Sequence, residues 1–375
     1  MKVLTILASG KMLRVNKGLR SKMNNGVCER KCEGMIRMKP LMYGVCAAFC
    51  FSFTYLLNRS MGLSSGHWAW TACLRYLFMV PIMLPVIMHR RAIGRLKNIV
   101  LQDPWLWVGW SFVAYVVFYI PLSYSSMCSP AWLTAATWQV TLIAGILMSP
   151  LFYHVVETPQ EPKKVRHKVP LKSLAISGII VLGVVLVQLQ QASRIGWQEM
   201  LGALLPTVFA ATAYPLGNRK TMELAAGRMN AFERIFVLTV LTLPFWLVMA
   251  VVNVLVIGPP SVNQMAKSFG VSLIVSVIGT MFFFKAMEMV SGNMQKLAGV
   301  EAAQSMEIVF TLLIGMLFLH EALPSAQALV GIALIIGGIV LYSRLLSQPE
   351  NQSVVKRTAK GGRIVLEKEQ RMKMK

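Results

Sequence analysis

The chain has 375 residues, of which 55% are hydrophobic and 14% charged, and its formal net charge is +23. That apolar content excludes an ordinary water-soluble enzyme. The apolar stretches are continuous rather than alternating, which excludes an outer-membrane β-barrel. In a soluble protein the positive charge would point to nucleic acid, but here the basic residues sit in tails and loops and leave no polar domain to bind it, so no nucleic-acid partner is expected.

Residues 1–37 form a basic tail, expected to be cytoplasmic and disordered. Its apolar patch, 3–8, is too short for a secretory signal. Met35 and Met38 stand just before the first apolar run and are alternative starts, which N-terminal mass spectrometry of native protein would decide. Crossing about 30 Å of hydrocarbon takes roughly 20 helical residues. On that measure the sequence predicts an all-α, polytopic membrane protein with ten transmembrane helices: 40–57, 68–88, 104–121, 129–149, 171–188, 200–216, 234–256, 268–286, 297–319 and 325–343. Residues 346–375 form a second basic tail.

Charge supplies the orientation. Arg90, Arg91, Arg95 and Lys97 follow the second span; Lys163, Lys164, Arg166 and Lys168 the fourth; Arg219, Lys220 and Arg228 the sixth. Alternate loops hold few cations. The positive-inside pattern puts both termini in the cytoplasm, and the short loops suit a bacterial inner (plasma) membrane. Trp105 and Trp107 at one edge, and Trp68, Trp70, Trp132 and Trp197 at the other, read as interfacial belts; an aromatic cage for a cation, with Trp70 and Trp138, is the sharper alternative.

The two halves resemble each other. Asn58-Arg59 ends the first span, and Asn218-Arg219 ends the sixth, 160 positions later; Arg75 is matched by Arg234 159 positions later. Gly183 and Gly337 mark the fifth and tenth spans. Five spans per copy, over 38–190 and 191–345, make the second copy enter from the opposite side. The result is two inverted five-helix repeats, an architecture suited to alternating access.

The segment Leu297-Ala-Gly, then Met306-Glu307-Ile-Val, then Leu312 to Glu321 resembles the penultimate helix of the drug/metabolite transporter superfamily, in particular its EamA-like and multidrug-resistance-efflux branch. Trp138-Gln139-Val140 is the first-half counterpart. The resemblance covers about 40–345. It implies secondary-active export of drugs or lipophilic cations, with protons as coupling ion. Two departures matter. The first span carries no acid where the four-helix members have an essential glutamate, and Ile308 stands where the family has proline.

An ionisable group at mid-membrane costs at least ~2.5 kcal/mol, so each is a functional candidate. Glu307 sits near mid-span and, with Glu301 and Gln304, spreads over about 120° of one helix face. It either exchanges a proton and binds cationic cargo or hydrogen-bonds a neighbouring helix. Only residues 76–88 separate Arg75 from His89, so Arg75 lies inside the bilayer, holding a substrate carboxylate or phosphate or pairing with an acid such as Glu307. Gln139 is the repeat counterpart of Glu307. Arg234 precedes the long apolar run 235–257 and is expected nearer the cytoplasmic edge. The candidate binding set is therefore Glu307, Arg75, Gln304, Glu301, Gln139, Trp138 and Trp70. Glu321 ends the ninth span, in a loop or a gate.

Six cysteines, including Cys46 and Cys50 one turn apart, read as apolar filler rather than metal ligands. No nucleotide-binding, zinc-protease or serine-nucleophile motif occurs. No cofactor, metal or enzymatic activity is expected. The expected partners are a small-molecule substrate, protons and the lipid bilayer, and a single chain or a homodimer both fit. Export of amino acids or related metabolites is the alternative cargo, because Glu307 and Arg75 together suit a zwitterion. A membrane sensor or intramembrane enzyme is the reading from another class.

Overall fold

The computed structural model describes residues 26–346, except 152, 158–161, 167–170, 196, 226, 291–299 and 301–302. The N-terminal tail before residue 26, the C-terminal tail after 346 and the expected site residue Glu301 lie outside the described residues. The chain divides into a unit ending at Lys39 and one starting at Pro40.

Helices dominate. α1 is Gly26–Leu63 and α2 is Trp68–His89. α3 (Ile93–Val100) is short, and α4 spans Pro104–Cys128. α5 is Ala131–Leu147, α6 Leu171–Ile195, α7 Trp197–Ala225 and α8 Ala231–Val256. α9 runs as one rod through Val262–Gly270, Val271–Gly279 and Thr280–Val290. α10 is Met306–Phe318 and α11 Ala326–Leu346. Among the described residues, six helices are long and apolar enough to cross a membrane, and four further apolar helices are shorter, Ala131–Leu147, Leu174–Leu189, Met306–Phe318 and Ala326–Leu341.

Several elements differ from the sequence reading. α1 begins at Gly26, inside the stretch expected to be disordered. Once the apolar turns nucleate a helix, Glu, Arg, Lys and Met extend it backwards at little cost. Two strands, Tyr153–Glu157 and Pro162–Arg166, pair antiparallel after α5, where only a basic loop was expected. α3 was not foreseen because it is too short to span; its alternation buries Leu96 and Ile99 and leaves Arg95 and Lys97 outside.

Polar side chains are buried among apolar ones inside the bundle, while large aliphatic side chains are exposed outside it, unlike a soluble fold. Ser52, Thr54, Asn58, Ser126 and Thr311 are buried, while Leu255 and Val256 are 79% and 78% exposed. A rim of exposed aliphatic side chains suits hydrocarbon, where only interior polar groups find partners. Three of the expected belt residues are core instead: Trp70, Trp107 and Trp132 are buried, while Trp105 and Trp197 are exposed.

Two π-helical stretches interrupt the long rods, Phe112–Val117 in α4 and Val271–Gly279 in α9. The first has a local cause. Pro121 lacks an N–H and crowds the carbonyl four residues back, Val117, so the preceding turn widens. α6 packs along α11 with backbones in close approach: a Cβ on Gly183 would come within 2.6 Å of the Gly331 carbonyl, and one on Gly331 within 2.7 Å of the Gly183 carbonyl. The close contact is thus Gly183 with Gly331. Gly337, its repeat match by sequence, faces open space. Gly183→Val should lower stability by about 1–3 kcal/mol through overpacking, and Gly337→Val by less than about 1 kcal/mol; thermal unfolding of the two variants in one detergent checks the difference.

Candidate functional site

A cavity of about 420 Å³ lies between the helices and is lined from α1, α2, α4, α5, α7, α8, α9 and α10. That volume suits a small organic ligand. Five of the seven expected site residues line it: Arg75, Trp138, Gln139, Gln304 and Glu307. Trp70 does not. Its indole N–H donates to the Gly258 carbonyl at 2.9 Å, at the far end of α8, because its place one turn into α2 aims it at the loop before α9. The seventh, Glu301, lies outside the described residues.

Glu307 is buried in the first turn of α10. The Tyr55 hydroxyl stands in hydrogen-bonding reach of its carboxyl, and Tyr214 is a further electrostatic neighbour. Gln304, one turn earlier, donates to the Gly44 carbonyl at 3.5 Å, a long contact that leaves its amide available to the cavity. Gln139 donates to the Ala135 carbonyl at 3.2 Å. The Thr141 hydroxyl is buried against the cavity and finds no hydrogen-bond partner among the described residues.

Arg75 is held by neutral groups. Its Nε donates to the Ser276 hydroxyl at 3.0 Å, and its guanidinium carbon lies 4.2 Å from the centre of the Tyr119 ring. Ser272, also on the π stretch of α9, donates to the Arg75 carbonyl at 2.7 Å. Tyr76 stacks on Trp246 at 4.7 Å and meets Tyr115 and Tyr119, so the guanidinium sits against an aromatic wall. The expected ion pair with Glu307 is not formed: among the described residues no carboxylate lies within 4.0 Å of Arg75. The rings around this cation are Tyr119, Tyr76 and Trp246, not the expected pair Trp70 and Trp138, of which only Trp138 lines the cavity. Trp138 stands in a second cluster with Phe118 and Tyr214, each ring centre 5.5 Å away.

Sequence reasoning missed the tyrosines and did not count Arg234 in the site, yet it lines the cavity with Arg75 and Arg219. The signal for two of them lay in the repeat: Tyr55 and Tyr214 each precede the matched Asn-Arg pair by one helical turn.

Polar contacts tie the bundle at both ends. At the first, Arg59 donates to the Met127 carbonyl at 2.7 Å and lies 3.8 Å from Glu321, whose carboxylate also accepts from the Ala131 N–H at 2.7 Å. Burial pushes the Glu321 carboxyl above its usual range, against the opposing pull of Arg59 and the Ala131 N–H. At the other end Glu233 closes a capping box with Asn230 at the start of α8 and pairs with Arg95 beside α3. Arg95 also donates to the Arg228 carbonyl at 2.9 Å, and Arg219 to the Gly145 carbonyl at 2.7 Å. The cavity reaches from mid-bundle towards this second end, through Met222 and Arg234.

Replacing Tyr119 separates ring from hydroxyl. Tyr119→Leu should lower stability by about 1–3 kcal/mol, since it removes the face beneath Arg75. Tyr119→Phe, which keeps that face, should cost less; unfolding temperatures of the two variants decide.

A family model described as "EmrE: Putative multidrug resistance efflux transporter" matches residues 38–348. The chain is 41% identical over 312 residues to the uncharacterized protein YjlA of Bacillus subtilis (strain 168), covering 83% of this chain and 96% of that one. It is 41% identical over 249 residues to an uncharacterized 42.1 kDa protein in the intracellular alkaline protease 3′ region of Shouchella clausii, covering 66% of this chain and 65% of that one. A solved crystal structure of a protein 15% identical superposes with a TM-score of 0.54 over 82% of this chain and 99% of its own length, a likeness of fold.

Proposed function

The chain belongs to the multidrug resistance efflux transporter family, and from that premise we propose that it is a secondary-active exporter of small organic compounds, working by alternating access and coupled to protons at Glu307. One observation carries the reading: a buried carboxyl stands inside a ligand-sized cavity in an apolar bundle. Such a group is expensive to keep in a membrane unless it works.

The ten apolar helices, six long and four shorter, would form two inverted five-helix halves. Supporting this, repeat-related residues converge on one cavity: Arg75 with Arg234, Tyr55 with Tyr214, and Gln139 with Glu307. The two π stretches also begin 159 positions apart, the offset of the arginine pair. Halves built alike but facing opposite ways have two near-equivalent states, one open to each side. The basic loops would place the end holding Arg95 and Arg219 in the cytoplasm of an inner membrane, with the cavity reaching towards it and the Arg59–Glu321 contacts closing the outer face.

In this cycle Glu307 takes up a proton in one orientation and gives it up in the other, with Tyr55, Tyr214 and Arg75 as the charged or titratable groups around it. The cargo reading in line with the family is a drug or lipophilic cation, and Trp138 with Tyr214 and Phe118 offers ring faces for one. Amino acids or similar metabolites are the second reading, favoured by the coexistence of Glu307 and Arg75 in one cavity.

Flux into proteoliposomes under imposed pH gradients tests the coupling. Glu307→Gln keeps the shape and an acceptor for Tyr55, so it should fold normally and lose gradient-driven flux at least about tenfold. Full, pH-responsive transport by this variant would overturn the role of Glu307.

The outer contacts give a signed pH effect. The Glu321 carboxyl is raised in this closed arrangement and returns to its ordinary range when solvated, so protonation stabilises the closed arrangement. Lowering the pH below the raised value should therefore favour closure, an effect that is complete below the ordinary carboxylate pKa and absent above the raised one, and Glu321→Gln should favour closure at all pH. Spin labels at Leu63 and Leu323, in a chain lacking its native cysteines, would report a shorter distance distribution in acid.

A further inference from the structure

Charge in the cavity is unbalanced. Arg75, Arg219 and Arg234 line it, against Glu307 as the one carboxylate among its described lining residues. Arg75 is the most telling of them. A guanidinium carries five N–H donors in a planar fork, and the neutral groups that hold it, Ser276 and Tyr119, use a minority of them. The fork is oriented by its ring stack and its Nε bond, with donors to spare and no carboxylate within 4.0 Å among the described residues. Arg234 is its counterpart from the second half. Tyr115 and Tyr214 are electrostatic neighbours of both guanidiniums, so the two arginines flank one region of the cavity. The Thr141 hydroxyl, also on the cavity wall, adds a small polar group.

A lipophilic cation entering here would find ring faces but also a surplus of positive charge in a medium that screens it poorly. An oxyanion would find the reverse: two fixed cations and a hydroxyl. We infer that the cargo carries an oxyanion group, a carboxylate or a phosphate ester, and that Arg75 and Arg234 are its two anchors, one from each half. This rests on the transport reading and takes its second cargo, the metabolite, over the lipophilic cation. Because the anchors occupy equivalent positions in halves of opposite orientation, an exchange of conformation between the halves swaps their roles while the anion keeps a cationic partner.

The test is equilibrium binding to the purified full chain in nanodiscs, read by thermal unfolding and tryptophan fluorescence, with benzoate, phenyl phosphate and tetraphenylphosphonium as probes. At least one of the two anions should stabilise the protein, and tetraphenylphosphonium should not. Benzoate and phenyl phosphate separate the carboxylate source from the phosphate one. Arg75→Gln and Arg234→Gln should each weaken anion binding on the order of tenfold or more, the scale of a hydrogen bond to a charged group. Arg75→Lys and Arg234→Lys, which keep the charge but lose the fork, should weaken it less and guard against variants that fail to fold. A response to tetraphenylphosphonium alone, no response to either anion, or equal anion binding in wild type and both folded glutamine variants would overturn the assignment. Flux in proteoliposomes distinguishes the two layers. Anion binding without flux would keep the site and remove the transport reading; cation flux without anion binding would do the opposite.

Discussion

A guanidinium in the middle of an apolar bundle is the constraint around which the centre of this protein is organised. Arg75 is only partly exposed, to the cavity, so the helices around it must steady it. α4 supplies the ring of Tyr119, α9 supplies Ser276 for its Nε, and the same helix ties back to the Arg75 carbonyl through Ser272. These partners are neutral, so they steady the charge without cancelling it. A carboxylate partner would have neutralised the group and closed the space. Rings and hydroxyls leave a charged, hollow centre instead, and the tyrosines that support Arg75 also form the wall a ligand would meet.

Much of the scaffold was legible in the sequence because hydropathy run length is a direct reading of what a bilayer demands. Arg75 and Glu307 were legible for the same reason: a charge inside an apolar run stands out. Arg234 was expected near the end of its span, and α8 does begin at Ala231; run length could not tell that the cavity reaches down to that end. Tyrosine blends into apolar runs, so Tyr55, Tyr115 and Tyr119 gave no contrast. Tryptophan misled in the other direction. Trp107 and Trp132 sit near helix ends, as interfacial residues do, yet are buried by neighbouring helices. Trp70 was chosen by its chemistry, but depth along α2 aims it at Gly258. The hairpin after α5 and the helix α3 are local structures in loops, where hydropathy says only that the chain is outside the bilayer.

The two ends of the bundle are fastened by different chemistry. One is joined by a half-shielded pair, Arg59 with Glu321, together with a backbone N–H and a backbone carbonyl. Several contacts there depend on one carboxylate, so changing it affects α1, α5 and the loop before α11 together. The other end distributes its contacts over Arg95, Arg219, Arg228 and Glu233, which makes it less sensitive to any single group. Between them, α6 and α11 approach through the backbone contact of Gly183 with Gly331.

The wide turn at Phe112–Val117 inserts the equivalent of an extra residue into α4. Each residue advances a helix by 100°, so the segment beyond it, Phe118–Cys128, is rotated by more than a quarter of a revolution relative to an unbroken rod. Tyr115 lies within the wide turn and Tyr119 just beyond it, and both reach Tyr76. A helical wheel drawn continuously from Pro104 to Cys128 would thus assign the wrong face to everything after Val117. Any alignment of this rod with a relative whose helix is regular must reset its angular origin there.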